Sequence, residues 1–268
     1  MRPVVLCFVS YYLPGYRSGG PVRTIANLVD HLGDDFDIRI VTRDRDALDT
    51  EPYPNVRADA WNTVGKAQVF YASTRSITLA GIAQLLRETP HDVLYLNSFF
   101  AFGFTTLPLL ARRLGRVAQK PCVLAPRGEF SKGAIELKSW KKWPYMKAAK
   151  ALGLYRGLYW QASSKFEAND IRREFGHFAI TISVAPDLPP KAKANALPSP
   201  PQDNLRKPGP LRIVFLSRIT PIKNLDFLLE RLASVNSYVE CAIYGPLREP
   251  DHWSRCLDLI SRLPQNIT

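Results

Sequence analysis

Short runs of aliphatic and β-branched residues alternate along the chain with stretches in which apolar residues return every three or four positions. The first run, Val4 to Val9, has no polar alternation and predicts a parallel strand buried on both faces. Pro14, Gly15, Gly19 and Gly20 end it. Val22, Ile25, Ala26, Val29 and Leu32 then fall at helical spacing, with Pro21 at the entry and Gly33 just past the exit. A second strand is predicted at Phe36 to Val41, and further strands at Ala67 to Ala72, Val93 to Leu96, Cys122 to Ala125, Tyr159 to Ala162 and Ile180 to Val184. Helices are predicted over Leu79 to Arg87, Thr106 to Leu114 and Ser164 to Phe175, and aromatic-rich helical material over Glu136 to Tyr159. Alternating strands and helices predict an α/β domain built on a doubly wound parallel sheet with right-handed crossovers.

The periodicity stops at Ala185. Pro186, Pro189, Pro190, Pro198, Pro200, Pro201, Pro208 and Pro210 mark a linker. The pattern restarts with a strand at Leu211 to Leu216, a helix carrying Leu225, Leu228, Leu229 and Leu232 on one face, a strand at Val239 to Tyr244 and a helix at Trp253 to Leu263. The expected organisation is a first domain over 1–185, a proline-rich linker over 186–210, and a second α/β domain over 211–268. That last stretch is shorter than the roughly 100 residues of an independent α/β domain, so the second domain reads as incomplete.

Composition removes several classes. Cys7, Cys122, Cys241 and Cys256 form no CxxC pair, and His31, His91, His177 and His252 are scattered. They read as reduced core thiols and isolated imidazoles, with no metal site. Val4 to Val9 is short for a secretory leader. Val93 to Ala111 is uncharged, but Asn97, Ser98, Gly103, Thr105, Thr106 and Pro108 within it suit a strand, a loop and a buried helix better than a membrane span.

The formal net charge of +12 is concentrated. Between Arg112 and Arg173 there are 15 Lys or Arg against Glu129, Glu136, Glu167 and Asp170. Such a surface attracts anionic partners, although no nucleic-acid motif accompanies it. Within it, residues 138–159 interleave Trp140, Trp143, Tyr145, Tyr155 and Tyr159 with Lys138, Lys141, Lys142, Lys147 and Lys150. This segment has two readings: a peripheral contact with anionic lipid headgroups, or rings packed into the first domain.

Two turns carry candidate chemistry. Gly15-Tyr16-Arg17-Ser18-Gly19-Gly20 lies between the first strand and first helix, where backbone N–H groups and a helix N-terminus suit a phosphate. The spacing is not GxGxxG, and no acid is clearly placed for a ribose, which disfavours a nicotinamide enzyme. Ser217-Arg218-Ile219-Thr220-Pro221-Ile222-Lys223-Asn224 occupies the equivalent turn of the second domain. There Arg218 and Lys223 are suited to a diphosphate.

Taken together these stretches resemble glycosyltransferase family 4. The S-R-I-T-P-I-K-N turn resembles its G/S-R-x-x-x-x-K donor segment, and Tyr11 to Leu28 resembles its opening strand and glycine loop. Arg127-Gly128-Glu129-Phe130-Ser131 with Lys138-Ser139-Trp140-Lys141-Lys142, Ala162 to Glu167, and Ala242-Ile243-Tyr244-Gly245-Pro246 are similar to further family stretches, in the same order. The resemblance implies a GT-B fold of two Rossmann-like domains, the second incomplete. It also implies a retaining transferase that moves a sugar from a nucleotide-diphosphate sugar to a glycan or lipid-linked acceptor in surface polysaccharide synthesis.

That activity requires no cofactor and no metal, so cations and amides would offset the charge of the leaving diphosphate. The resemblance assigns Gly19, Gly20, Arg218 and Lys223 to the donor diphosphate and Asn97, Arg127, Glu129 and Gly245 to substrate. It places the catalytic glutamate pair beyond Thr268, and Asn97 stands where the family often has histidine. A cytoplasmic enzyme, peripheral at the inner face of the membrane, is expected. A non-catalytic scaffold binding membrane or polyanion is the alternative.

Overall fold

The computed structural model describes residues 2–137, 139–191, 209–247 and 249–268. It comprises two compact units, Met1–Lys193 and Ala194–Thr268. Of the proline-rich stretch expected at 186–210, residues 192–208 lie outside the described residues, as does Lys138 at the start of the basic segment.

The first unit runs β1 (Val4–Phe8), α1 (Gly20–Leu32), β2 (Asp37–Arg43), β3 (Trp61–Val64), β4 (Ala67–Ala72), α2 (Leu79–Glu88), β5 (Val93–Asn97), α3 (Leu107–Arg113), β6 (Cys122–Ala125), α4 (Lys132–Glu136), α5 (Ser139–Ala151), β7 (Tyr159–Ala162), α6 (Lys165–Phe175) and β8 (Thr181–Val184). The strands form one sheet in the order β3-β4-β2-β1-β5-β6-β7-β8. Every pairing is parallel except that of β3 with β4. β3 is absent from the pattern-based expectation.

β1 shows why the run Val4 to Val9 contains no polar residue. Successive side chains of a strand point to opposite faces. Leu6 and Phe8 enter the core that holds Leu94, Leu96 and Phe99, whereas Cys7 and Val9 enter the one that holds Ile25 and Val29 of α1. Both faces of this central strand are covered, so both must be apolar.

The uncharged stretch Val93 to Ala111 resolves into β5, a turn of π-helix at Phe102–Thr106 and part of α3. No helix among the described residues is long and apolar enough to cross a membrane. The aromatic segment divides. Tyr155 stacks on the buried Phe99 at 4.5 Å between centroids, and Tyr145 meets the same ring edge-on at 5.7 Å. Trp140, by contrast, is 72% exposed with the Lys141 ammonium 4.7 Å from its ring centroid. Rings of the same segment are thus divided between the interior of the first unit and its surface.

In the second unit β9 (Leu211–Leu216), α7 (Leu225–Leu232), β10 (Val239–Tyr244) and α8 (Pro250–Ser261) form a parallel strand pair with both helices on one face. Ile219, Leu225, Leu229 and Cys256 form one core cluster, and Leu232, Val239 and Ile267 a second. Ile267 bridges to Val239 in parallel, beginning a third register line beside β10.

Candidate functional site

In the first unit β1 pairs with β2 on one side and β5 on the other, so the strand order reverses at β1. In open α/β sheets, ligands bind in the crevice outside the carboxyl ends of the strands at such a reversal. The loop entering α1 and the loops leaving β5 and β6 converge there.

The loop entering α1 is held from below. Asp46 is buried and accepts from the backbone N–H of Tyr16 at 2.8 Å, of Arg17 at 3.1 Å and of Ala47 at 2.7 Å. Burial pushes its carboxyl up, but the three amide bonds outweigh burial and the group lies below its ordinary value. Asp46 therefore occupies two amides that sequence reasoning left free for a phosphate. Gly19 and Gly20 remain exposed, and a Cβ at either would meet nothing within 4 Å. Gly19 has φ 65°, a conformation that favours glycine. At the start of α1, Pro21 has no N–H and the Arg23 N–H donates to Gly19 O at 3.3 Å, which leaves the amides of Gly20 and Val22 without intrahelical acceptors.

Behind the loop, Asn97 and Arg127 come together. The Arg127 guanidinium donates to Asn97 Oδ1 at 2.8 and 3.1 Å and to Tyr95 Oη at 2.7 Å, and pairs with Asp187. Asn97 Nδ2 in turn donates to Cys7 Sγ at 3.3 Å, leaving Asn97 buried. Asp187 also accepts from Thr24 Oγ1 at 3.1 Å, and Asn27 Nδ2 donates to Leu188 O at 2.8 Å. The segment after β8 is thus strapped to α1, with Arg127 beneath it. Sequence reasoning missed Asp187, which is distant in the chain from every partner.

Glu129 turns away from these groups. Its carboxyl accepts from Ser98 Oγ at 2.6 Å, from Phe100 N–H at 3.1 Å and from Phe99 N–H. Burial raises its pKa above the ordinary value of 4.5, against the pull of those donors. A raised carboxyl favours folding in its protonated form, so this contribution is full below the ordinary value and is lost as pH rises through the folded one. Glu129→Gln keeps one acceptor for the amides and offers Ser98 a donor. Its unfolding free energy relative to wild type is expected to increase across that window in urea titrations, and a pH-independent difference would refute the assignment.

Arg43, at the end of β2, was not singled out from the sequence. Its guanidinium lies 5.9 Å from the Tyr11 ring centroid and 5.5 Å from that of Phe104, and its buried Nε has no hydrogen-bond partner in the described residues. Among the described residues it forms no ion pair.

The second unit presents its own turn. Ile219 is buried and its N–H donates to Pro246 O at 3.0 Å, while Ser217 N–H donates to Tyr244 O at 3.0 Å. The turns after β9 and β10 are thereby zipped together. Asn224 has φ 55° between a 3-10 turn at Pro221–Lys223 and α7. Arg218 and Lys223 are exposed, and neither forms an ion pair or side-chain hydrogen bond among the described residues. Gly245 packs against the Ser217–Arg218 backbone. No group of three or more His, Cys, Asp or Glu among the described residues is arranged to hold a metal ion.

No family model matches the chain, and no curated protein matches it. Among solved structures it is similar to apo OtsA, with TM-score 0.53 and 12% identity over 98% of this chain and 70% of that one. It is also similar to an alpha,alpha-trehalose-phosphate synthase (UDP-forming) from Burkholderia vietnamiensis, with TM-score 0.50 and 11% identity over 99% of this chain and 69% of that one. These neighbours do not single out glycosyltransferase family 4. At such identities the likeness is one of fold, and the fold is the α/β architecture of GT-B glycosyltransferases.

Proposed function

We propose that this chain is a glycosyltransferase that moves a sugar from a nucleotide-diphosphate sugar to a glycan or lipid-linked acceptor. The observation that carries this reading is the turn after β9. Two cations without ion-pair or side-chain hydrogen-bond partners among the described residues, Arg218 and Lys223, stand at the carboxyl end of a parallel strand, in a fold shared with a UDP-forming synthase. Fixed cations there offset the charge that builds on a leaving nucleoside diphosphate. In this reading Arg218 and Lys223 bind the donor diphosphate, Gly245 keeps their turn in place, and Gly19 and Gly20 admit an anionic group to the N-terminus of α1. The crevice of the first unit takes the acceptor.

The reaction is read as retaining and metal-independent, serving surface polysaccharide synthesis at the cytoplasmic face of the membrane. Exposed Trp140 and Trp143 beside Lys141 and Lys147 support a peripheral membrane contact, since amphipathic rings and cationic heads suit an anionic interface. The same face favours a second reading, a scaffold that binds membrane or polyanion without catalysis.

Calorimetric titration of the full chain with UDP, GDP and ADP separates the two. The transferase reading expects one of them to bind, with Arg218→Ala and Lys223→Ala each weakening binding roughly ten-fold, as loss of a charge-assisted hydrogen bond does. Absence of nucleoside diphosphate binding, or binding indifferent to both substitutions, would leave the scaffold reading.

A further inference from the structure

At the opposite end of the first unit's sheet, where β1, β5 and β6 begin, lies a cavity of about 880 Å3 bordered by α2 and α3. Its volume is within the range of small-molecule sites, roughly 300–1,000 Å3. Arg2, Arg87, Arg112 and Lys120 line it with His91, and Asp92 is the one acid in its lining. Asp92 is already engaged, accepting from Val4 N–H at 2.8 Å. Arg2 and Arg87 each donate to backbone carbonyls, Arg2 to Gly33 O at 3.1 Å and Arg87 to Arg116 O at 3.3 Å, which orients them without neutralising them. Arg112 and Lys120 have no ion pair among the described residues.

His91 completes the arrangement. Its Nδ1 lies 2.7 Å from Thr89 O, and since a carbonyl only accepts, Nδ1 carries the proton. Nε2 is the nitrogen left to meet a ligand. Burial lowers the His91 pKa, Lys120 and Arg112 lower it further, and the Thr89 carbonyl and Asp92 oppose them. Four cations around a recess with one occupied carboxylate leave positive charge that a bound anion would compensate.

We infer that this cavity binds a phosphomonoester, at a site separate from the crevice at the strands' carboxyl ends. A phosphate dianion would take charge-assisted hydrogen bonds from Arg112 and Lys120 and a further one from His91 once its Nε2 is protonated. The apolar walls supplied by Leu86, Leu94 and Val117 suit the organic part of such a ligand.

The test uses the full chain with glycerol 3-phosphate as the soluble probe and phosphatidate vesicles as the membrane-bound one. Both present the same headgroup chemistry, and the arm that binds identifies the source. Binding of glycerol 3-phosphate is expected to raise the His91 pKa, read from its ring-proton resonances. Arg112→Ala and Lys120→Ala should each weaken binding about ten-fold, with Arg218→Ala leaving the His91 response intact. Lys120→Glu, at an exposed position, provides a second variant whose folding is checked by its melting temperature. The inference is overturned if neither probe binds, if binding is unchanged in the Arg112 and Lys120 variants, or if His91 does not respond.

Discussion

Replacing Gly245 with alanine is expected to destabilise the β9–β10 unit by about 3 kcal/mol, the upper range for forcing an extra carbon into packed surroundings. A Cβ at this position would meet Ser217 O at 1.7 Å and its carbonyl carbon at 2.7 Å. The obstacle is backbone, not the end of a side chain that can swing aside. Relief requires the turn after β10 to part from the turn after β9, breaking the Ser217 N–H to Tyr244 O and Ile219 N–H to Pro246 O bonds of 3.0 Å each. The unit's core is two small clusters, Ile219, Leu225, Leu229 and Cys256 and Leu232, Val239 and Ile267, so a loss of this size is a large fraction of what holds it together. Arg218 is borne on the displaced backbone, and nucleoside diphosphate binding should fall with it. Hydrogen exchange at the Ser217 and Ile219 amides is the local measurement. Unchanged protection in Gly245→Ala would mean that the close approach is not maintained in solution. Gly20→Ala is the control, since a Cβ there meets nothing within 4 Å.

The most legible strands are apolar runs inside the sheet, although the largely exposed edge strand β8 was also expected. β1, β4, β5 and β6 lie inside the sheet and are mostly apolar, so they stand out as runs, while β2 shows through Ile38, Ile40 and Val41 set among Asp37, Arg39, Thr42 and Arg43. β3 failed this criterion because Trp61, Asn62, Thr63 and Val64 form an edge strand antiparallel to β4, mixed in polarity and four residues long. A local signal was present: Gly65-Lys66 is a two-residue connection with Gly65 at φ 57°, the kind of loop that joins hairpin strands. The helical stretch expected over Glu136 to Tyr159 was only partly legible. It holds α5 and then turns before β7, where Gly153 at φ 62° and Gly157 at φ 72° take the left-handed conformation and Gly153 marks the exit from the helix.

Legibility of the candidate site follows a different rule. Gly19, Gly20, Arg218 and Lys223 were recognisable because each falls in a strand-to-helix turn, and such turns are fixed by local sequence. What these turns contact is decided by the sheet order, which brings Asp46 under the glycine loop from 29 and 30 positions away and Asp187 onto Arg127 from 60 positions away. No acid was clearly offered to a ribose by the sequence after the second strand. Asp46 lies in that region and spends its carboxylate on backbone amides. Arg43 escaped notice because the rings that flank it, Tyr11 and Phe104, come from distant parts of the chain, which no local pattern reveals.

Loss of the Glu167 carboxylate is expected to cost the first unit about 4 kcal/mol, since buried donors left unsatisfied cost roughly 1–3 kcal/mol each. Glu167 is buried; one oxygen accepts from Gly128 N–H at 2.7 Å and the other from Ser163 N–H at 2.7 Å and Ser163 Oγ at 2.6 Å. Ser164 Oγ accepts from the Glu167 N–H at 3.2 Å, so the S-S-K-F-E stretch both starts α6 in the manner of a capping box and reaches across to the loop after β6. That loop carries Arg127 at φ 58° and Gly128 at φ 75°, and Glu167 is what holds it in this conformation from the neighbouring helix. Glu167→Ala therefore strands two amides and releases the support of Arg127. Glu167→Gln should do little better, because each oxygen faces a backbone N–H and the new amide group would oppose one of them, whereas at Glu129 the Ser98 hydroxyl can reverse its role. Urea unfolding of the full chain followed by tryptophan fluorescence, with the buried Trp160 in β7 as reporter, measures both. If Glu167→Gln matched wild type, the carboxylate would not be bridging α6 to the Arg127 loop.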